Sequence, residues 1–248
     1  MDRIVLKQGD CLELMKDIED SSIDMVFADL PYGTTKCRWD VVIPFEPLWE
    51  QYERIIKPNG ALVFTASQPF TSALVMSNPK MFKYEWIWEK SKASNFLNAK
   101  KNPLKAHENI LIFGKKKVNY YPLKIEGKPY NKGKRKTENG YATDVYGKMD
   151  SDFLVVNKKG LRYPRSVQYF KTAESEGKYL ATQKPVALVE YFIETYSKEN
   201  DIVLDNVFGS CTTGIACINK NRRFLGFEKD NTNFNICEKR IKEKFNLI

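Results

Sequence analysis

Residues 23–32 read IDMVFADLPY, and they contain the clearest indication of the fold. Its first six residues are mostly apolar and have the length of a buried strand, and the acidic Asp29 follows them directly. Pro31 then turns the chain, and Tyr32 places an aromatic ring beside the turn. In open α/β sheets the carboxyl ends of the strands form the edge at which ligands bind. The stretch therefore predicts such a sheet, with an acid, a rigid turn and a ring at its binding edge.

The sequence on either side alternates strands and helices in two blocks. The first block predicts strands and helices at Ile4–Gln8, Cys11–Ile18, Phe45–Ile56, Ala61–Thr65, Lys83–Trp88 and Asn109–Phe113, with a further helix opened by Ser67-Gln68-Pro69. The second block predicts elements at Pro185–Ser197, Ile202–Asp205, Thr212–Asn219, Arg223–Glu228 and Asn231–Phe245. This order favours a mostly parallel sheet covered by helices.

The basic charge of the chain is concentrated in residues 115–178. This segment has 16 Lys and Arg against 7 Asp and Glu, whereas the rest of the chain has 24 of each. Its tyrosines alternate with basic residues, a composition that suits phosphate binding and base stacking. We interpret residues 115–178 as a polyanion-binding insertion in a catalytic domain of residues 1–114 and 179–248; a solvated Lys-rich loop is the alternative. The residues expected to contact a nucleic acid backbone are Lys132, Lys134, Arg135 and Lys136.

Composition excludes several classes of protein. The hydrophobic content of 42% indicates a globular chain, and no apolar run reaches the ~18 residues of a membrane span. The N-terminus lacks the apolar region of a signal peptide, and the five cysteines form no close pairs, so reduced thiols in the cytoplasm are expected. With His107 as its single histidine, the chain is a poor candidate for a zinc site or a histidine relay.

A second group of candidate residues lies in the segment DNVFGSCTTG, residues 205–214, between a strand and a helix. Gly209 allows a ligand to approach the backbone closely, and the start of the helix offers free amides to an anion. Glu228 ends the next strand, at the spacing from Asp205 that places an acid on ribose hydroxyls in α/β nucleotide sites. Without a complete G-x-G-x-x-G, the segment alone is equally well explained as a capped glycine turn.

Taken together, these segments resemble the amino-group DNA methyltransferases that use S-adenosylmethionine. Residues 29–32 resemble the catalytic motif of that family, and Asp205–Thr213 resembles its cofactor loop, usually D-P-F-x-G-S-G-T-T. The further segments that carry the resemblance are Thr182-Gln183-Lys184-Pro185, Gly9-Asp10-Cys11 and Asn98-Ala99-Lys100-Lys101 through His107-Glu108. Because the catalytic segment precedes the cofactor loop, the order resembles the circularly permuted beta group. The departures from the usual pattern are Leu30 for proline, Asn206 for proline and Cys211 for glycine.

The resemblance implies a Rossmann-like methyltransferase fold, with a mostly parallel seven-stranded sheet, and S-adenosylmethionine as the cofactor without a metal. It implies that Asp29 and the carbonyl of Leu30 accept the hydrogens of the target amine, that Pro31 fixes the turn, and that Tyr32 stacks on a flipped base. The implied cofactor contacts are Asp10, Cys11, Asp29, Thr182, Lys184, Asp205, Phe208, Gly209, Ser210, Thr212, Thr213 and Glu228. Among these, Glu228 is expected on the ribose, Asp10 and Cys11 near the adenine, and Lys184 near the methionine part.

The implied reaction is methylation of adenine N6 in double-stranded DNA at a specific site, as in restriction-modification. Adenine is favoured because Asp29 stands where cytosine N4 enzymes more often carry serine. Cytosine N4, an RNA substrate and a nucleic-acid-binding homologue without activity are the alternatives. A Rossmann oxidoreductase is disfavoured, because the turn at residues 29–32 would have no role in it. The insertion is short for a target-recognition region, which suggests either a weakly specific enzyme or one that reads its site with a second subunit; of these, a homodimer is favoured.

Overall fold

The structure is a computed structural model that describes residues 3–35, 37, 40–135, 153–177, 179–180 and 182–246. Its first half contains β1 (Ile4–Gln8), α1 (Cys11–Met15), β2 (Ile23–Ala28), α2 (Phe45–Ile55), β3 (Ile56–Ala66), α3 (Phe70–Ser77), β4 (Phe82–Ser94) and β5 (Lys105–Phe113). Its second half contains β6 (Tyr130–Arg135), β7 (Phe153–Asn157), β8 (Val167–Phe170), α4 (Val186–Tyr196), β9 (Ile202–Asp205), α5 (Thr212–Asn219), β10 (Arg223–Glu228) and α6 (Asn231–Asn246). Within the described part of the chain, every helix is too short or too polar for a bilayer crossing.

The main sheet has the strand order β1-β10-β9-β2-β3-β5-β4-β8. All neighbouring pairs are parallel except the two that involve β5, which confirms the expected α/β fold. Among the described residues the sheet has eight strands, so the expectation of seven was wrong by one. The additional strand is β8, which pairs with β4 at the edge. Its residues alternate between exposed and half-buried positions, so it lacks the apolar run by which a buried strand is recognised.

Both faces of the sheet are covered by helices, as the sequence pattern predicted. Successive residues of β2 point to opposite faces, as in any strand. Val26 and Ala28 belong to a core cluster that includes residues of α1, α2 and α3. Met25 and Phe27 belong to the other cluster, with residues of α4, α5 and α6. Burial on both sides explains why residues 23–28 form a nearly continuous apolar run.

The contacts divide the chain into two units, Met1–Tyr121 with Ser166–Ile248, and Pro122–Arg165. The second unit contains the antiparallel pair β6–β7 and a bridge between Ile125 and Arg162. This second unit has fewer residues than the insertion of residues 115–178 that the sequence indicated. The difference arises because β8 pairs in register with β4, from Ile87 opposite Val167 onward, and so belongs to the main sheet.

The strand order brings two distant segments to one edge of the sheet. β2 and β9 are parallel neighbours, with Met25 opposite Val203 and Val26 opposite Leu204. Both strands therefore end at the same edge, where Asp29 follows β2 and Asp205 ends β9. The long separation along the sequence does not matter, because neighbouring parallel strands place their carboxyl ends side by side.

Candidate active site

The turn after β2 fixes the carboxylate of Asp29 through two hydroxyl groups. Asp29 Oδ1 accepts a hydrogen bond from the hydroxyl of Tyr32 at 2.8 Å and another from the hydroxyl of Thr65, near the end of β3. Thr65 is fully buried, whereas about 30% of the Asp29 side chain is exposed. The next residue, Leu30, is buried in the core. The carboxylate is thus held in one direction while part of it remains accessible.

The ring of Tyr32 packs against Phe70 of α3. The ring centroids are 5.1 Å apart and the planes differ by 24°, which is a stacked arrangement. Burial raises the pKa of the Tyr32 hydroxyl well above its ordinary value, so this group stays a neutral donor to Asp29. Because Phe70 occupies one face of the ring, a base could stack only on the opposite face.

The other oxygen of Asp29 belongs to a network of four charged side chains, in which Lys184, Glu108 and Lys90 are linked to Asp29 in that order. The ammonium of Lys184 lies 2.7 Å from Asp29 Oδ2 and 3.5 Å from Glu108 Oε2, and Lys90 lies 3.2 Å from Glu108 Oε1. Lys184 and Lys90 are largely buried, with 11% and 7% of their side chains exposed. Burial lowers the pKa of Lys184, but the carboxylates of Asp29 and Glu108 outweigh it and hold that pKa above its usual value. Lys184 therefore carries its charge inside the site.

The glycine turn after β9 is joined to the end of β10 through Glu228. Gly209 adopts a positive φ of +48°, and its amide donates to Glu228 Oε2 at 2.9 Å. Glu228 Oε1 accepts from the amide of Asp230 at 2.8 Å. Burial raises the pKa of Glu228 even though these amides act in the opposite direction. A carboxylate at this position can accept hydrogen bonds from the hydroxyls of a ribose.

Asp205 is a buried acid with too few partners to stabilise its charge. Its oxygens accept from the amide of Val207 at 3.1 Å and from the hydroxyl of Thr213 at 2.6 Å. Burial raises the pKa of Asp205 to about 7, and the negative charges of Asp29 and Glu228 act in the same direction. A cationic group bound beside Asp205 would therefore offset this charge.

Asp10 and Cys11 lie at the start of α1, next to the end of β10. Asp10 caps the helix by accepting from the amide of Leu12 at 3.0 Å, and it pairs with Lys229 at 3.0 Å. The hydrogen bond from Lys229 is the main reason that the pKa of Asp10 is lowered. Cys11 is buried, which raises the pKa of its thiol. Cys11 is thus a neutral, compact side chain in this region.

The cofactor loop predicted from the sequence is tied to the segment that precedes α4. The hydroxyl of Thr212 donates to the carbonyl of Lys184 at 3.2 Å, and Arg240 of α6 donates to the carbonyl of Ser210 at 2.6 Å. Phe208 is buried and packs against the aromatic ring of Phe234, with centroids 6.1 Å apart. These contacts fix the loop from several sides.

Cys211 does not lie in the path of a ligand. It adopts a left-handed backbone conformation with φ of +62°, and its buried side chain faces Cys237 of α6, with the two Cα atoms 5.1 Å apart. The fold thus brings together two cysteines that are 26 positions apart. Cys11, Cys37 and Cys217 are free.

One cleft of about 1470 Å³ joins these parts of the site. Every catalytic and cofactor residue expected from the sequence lines it: Asp10, Cys11, Asp29, Leu30, Pro31, Tyr32, Thr182, Lys184, Asp205, Phe208, Gly209, Ser210, Thr212, Thr213 and Glu228. The carboxylate of Asp29 and the glycine turn at Gly209 thus share one space, as the sequence reasoning required. The roles of these residues remain predictions, whereas their position in one cleft is a property of the structure.

Sequence reasoning missed four polar residues of the site. Thr65 donates a hydrogen bond to Asp29 directly, whereas Lys90 is linked to Asp29 through Glu108 and Lys184. Glu108 stood in a segment of the resemblance, but without a role. Asn206 was noted only as a replacement for proline, yet its side chain lines the cleft and accepts from the hydroxyl of Tyr52 at 2.7 Å. The sequence signal that could have identified such residues is a polar side chain close to the end of an otherwise apolar strand.

The cleft contains buried polar atoms that suit the cofactor implied by the resemblance. Both side-chain amide atoms of Gln183 and the Nδ2 atom of Asn206 are buried and have no hydrogen-bond partner among the described residues. Buried polar groups of this kind are rare unless a ligand or water satisfies them. With the acids Asp205 and Glu228, they fit a molecule that carries an ammonium, a carboxylate, a ribose and a base. In the described part of the chain, no cluster of three metal-binding side chains occurs.

The predicted nucleic acid contacts fall in the second unit. Lys132 is exposed, and its ammonium lies 5.5 Å from the ring centroid of Tyr130. Lys134 and Arg135 belong to β6, and Lys136 lies outside the described residues. The role of all four remains a prediction.

Comparison with known proteins identifies relatives over nearly the whole chain. A model of a family described as DNA methylase matches residues 23–239. The type II methyltransferase M.HinfI of Haemophilus influenzae is 27% identical over 269 residues, which cover 95% of this chain and 67% of that protein. The DNA adenine methyltransferase YhdJ of Escherichia coli K12 is 28% identical over 242 residues, covering 89% and 76%.

Solved structures show the same fold. The crystal structure of an M1.HpyAVI–SAM complex aligns with a TM-score of 0.66 at 24% identity, covering 96% of this chain and 98% of that one. The PvuII DNA methyltransferase, described as cytosine-N4-specific, aligns with a TM-score of 0.63 at 16% identity, covering 98% and 93%. At these identities the likeness establishes the architecture.

Proposed function

The chain belongs to the DNA methylase family whose model matches most of its length, and from that premise we propose that it methylates the N6 amino group of adenine in DNA. The proposed methyl donor is S-adenosylmethionine, which leaves as S-adenosylhomocysteine, and the proposed target is a base flipped out of the duplex. A relative named as a DNA adenine methyltransferase is 28% identical and supports the choice of adenine. Such a protein would act on DNA in the cytoplasm.

One observation carries the proposal: the Asp29 turn and the Gly209 turn line the same cleft. The first offers acceptors for an exocyclic amine, and the second offers backbone amides, a buried acid and an acid at a strand end for a charged nucleotide-like molecule. A volume of about 1470 Å³ is larger than the ~300–1,000 Å³ of a typical small-molecule site, so two ligands have room side by side.

The residues of the first turn would orient the target amine. The lone pair of such an amine is delocalised into the ring, so the nitrogen is a weak nucleophile. When Asp29 and the carbonyl of Leu30 accept its two hydrogens, the nitrogen becomes more tetrahedral and its lone pair points along one direction. The bound donor supplies an electrophilic methyl group on a sulfonium. After transfer the nitrogen carries an excess proton, which the adjacent Asp29 carboxylate can accept.

Positioning of this kind accounts for most of the expected rate. Tyr32 and Thr65 hold Asp29 Oδ1 from two directions, so the acceptor does not need to reorganise during the reaction. Removing a preorganised group of this type typically costs about 10²–10³ in rate. No covalent link between protein and base is required.

Adenine and cytosine present the same kind of amine, and the fold accommodates both chemistries. The PvuII enzyme, described as cytosine-N4-specific, has the same architecture, which makes cytosine N4 the second candidate. The acid at position 29 favours adenine, because cytosine N4 enzymes more often carry serine there. Identification of the methylated nucleoside distinguishes the two.

The second unit is proposed to bind the DNA backbone. Its described residues include nine basic side chains and one acidic side chain, Glu126. The guanidinium of Arg162 lies 4.5 Å from the ring centroid of Tyr130, and Lys124 lies 4.6 Å from that of Tyr163. Basic groups interleaved with rings suit phosphates and unpaired bases. Replacing Lys132, Lys134, Arg135 and Lys136 by alanine should make DNA binding less dependent on salt. The slope of log K against log salt concentration should become shallower by up to about 0.9 for each phosphate contact that is lost.

The proposal is tested by following labelled methyl groups from S-adenosylmethionine into DNA and into RNA, and then digesting the product to nucleosides. N6-methyladenine from DNA is expected. Asp29→Ala should reduce transfer by at least about 10²-fold while the affinity for S-adenosylmethionine, measured by calorimetry, changes little.

Asp17→Ala is the matched control, since Asp17 is an exposed acid on the surface, 3.8 Å from Lys7. This variant should have the activity of the wild type. Turnover of Asp29→Ala near the wild-type rate would refute the assignment of Asp29. N4-methylcytosine as the product would refute adenine specificity, and the absence of both S-adenosylmethionine binding and methyl transfer would indicate a homologue that only binds nucleic acid.

A further inference from the structure

Lys184 has an unusual position for a residue expected beside the cofactor. Its ammonium forms its shortest contact, 2.7 Å, with the catalytic carboxylate at Asp29 Oδ2. Glu108 lies on its other side at 3.5 Å, and Lys90 holds Glu108 in turn at 3.2 Å. The Lys184 ammonium is therefore fixed at the oxygen of Asp29 that the two hydroxyl groups leave free.

The hydrogen-bonding capacity of Asp29 locates the amine relative to Lys184. An ionised carboxylate has about four acceptor positions, two on each oxygen. Within the described residues, Tyr32 and Thr65 use both positions on Oδ1, and Lys184 uses one on Oδ2. The remaining position, which the target amine needs, is on Oδ2 itself. The amine and the Lys184 ammonium would thus be neighbours on one oxygen atom.

We propose that Lys184 reads the target base by donating a hydrogen bond to the ring nitrogen next to the methylated amine, N1 of adenine. An ammonium has three donors, and the contacts to Asp29 and Glu108 use at most two of them. Asp29 Oδ2 and Lys184 then form an adjacent acceptor and donor. This inference rests on the proposed function and assigns Lys184 to the base rather than to the cofactor.

An acceptor beside a donor selects among the four bases. Adenine presents an amine hydrogen beside N1, and cytosine presents an amine hydrogen beside N3, so both match the pair. Guanine and thymine present a carbonyl oxygen beside a ring N–H, which is the reverse order and would leave buried polar groups unpaired. A site that hydrogen-bonds a substrate discriminates strongly against a molecule that cannot form the bond.

Electrostatics also disfavours the cofactor's ammonium as a neighbour of Lys184. The donor carries that ammonium in addition to its sulfonium, and two buried ammonium groups next to each other would repel. The buried acid Asp205, by contrast, has no basic partner in its hydrogen bonds, which come from Val207 and Thr213. The donor's ammonium is therefore better placed near Asp205 than near Lys184.

The test compares wild type with Lys184→Met, which keeps the length of the side chain and removes its donors. Sequencing of DNA methylated by the wild type gives the recognised site. Duplexes are then made with adenine, 1-deazaadenine or 7-deazaadenine at the target position, and kcat/KM is measured for each. If the product is N4-methylcytosine, 3-deazacytosine replaces 1-deazaadenine.

The wild type should lose about 10- to 100-fold on 1-deazaadenine relative to adenine, the range for a hydrogen bond to a charged donor. Lys184→Met should show less than about a threefold difference between the same two substrates. The 7-deaza substrate is the matched control, since its penalty should be equal in both proteins. Lys184→Gln, which retains a neutral donor, should show an intermediate penalty.

An equal loss on 1-deazaadenine in wild type and Lys184→Met would overturn the inference, as would a more than tenfold loss of S-adenosylmethionine affinity in Lys184→Met. Thermal unfolding and that affinity measurement confirm that the variant is folded. Absence of methyl transfer by the wild type to any DNA would instead overturn the proposed function, so the two failures are distinguishable.

Discussion

The affinity for S-adenosylmethionine should rise with pH because of Asp205. Burial raises the pKa of this carboxyl to about 7, and the hydrogen bonds from Thr213 and Val207 offset only part of that effect. A bound ammonium or sulfonium would favour the ionised form and displace the proton. Binding and proton release are then linked, and the affinity depends on pH below that pKa.

The size of the effect follows from the fraction of Asp205 that is ionised. With a pKa of about 7, roughly one site in eleven is ionised at pH 6 and about half at pH 7. The apparent affinity should therefore increase about fivefold between pH 6 and pH 7. Asp205→Asn has a neutral side chain of the same shape and should bind more weakly, without this increase.

Calorimetric titration of both proteins between about pH 6 and pH 7 measures the effect. Titration of the ligand itself contributes equally to wild type and variant, so the difference between their pH profiles is due to Asp205. A flat profile in the wild type, or the same increase in Asp205→Asn, would refute the reasoning.

The stability of the ligand-free protein should change with pH in the opposite direction to the cofactor affinity. A carboxyl whose pKa is higher in the folded than in the unfolded chain contributes its full stability below pH 4 and loses it as pH rises towards 7. Asp205→Asn should thus stabilise the ligand-free protein at pH 8, by up to about 4 kcal/mol.

Two further predictions concern the groups that hold the site in place. Thr65→Val removes a hydroxyl that donates to Asp29 and should reduce kcat about tenfold without changing cofactor affinity. Thr195→Val, at a buried threonine whose hydroxyl donates to the carbonyl of Tyr191, should leave kcat unchanged in the same assay. Gly209→Ala places a Cβ 3.3 Å from Leu180 Cδ1 at a positive φ and should weaken S-adenosylmethionine binding at least tenfold by calorimetry. Gly133→Ala, also at positive φ but in open space, should bind the cofactor as the wild type does.

The sequence predicted those features of the site that follow from strand order. Asp29 and Asp205 each end or follow an apolar run, and neighbouring parallel strands bring such ends to one edge. The helices on both faces follow from the continuous burial of β2. These features depend on local pattern and on general rules of sheet topology, so a single sequence contains them.

The remaining features depend on register and on contacts between distant segments. Thr65 reaches Asp29 because β3 runs beside β2 with Phe64 opposite Ala28, which no local pattern specifies. Lys90 and Glu108 face the site through the pairing of β4 with β5, where Trp88 lies opposite Glu108. The edge strand β8 was missed because its alternation of exposed and half-buried residues resembles a loop.

The three departures from the family pattern leave the chemistry of the cleft intact. Leu30 retains the backbone carbonyl that the proposed mechanism uses, and its side chain is buried in the core, so packing replaces the rigidity of a proline ring. Asn206 is anchored by the hydroxyl of Tyr52, and its free Nδ2 gives the cleft an additional donor. Cys211 directs its side chain to Cys237 in the core and does not line the cleft. Each substitution is compensated by packing or hydrogen bonding away from the reacting groups, which favours an active enzyme over a homologue that has lost its activity.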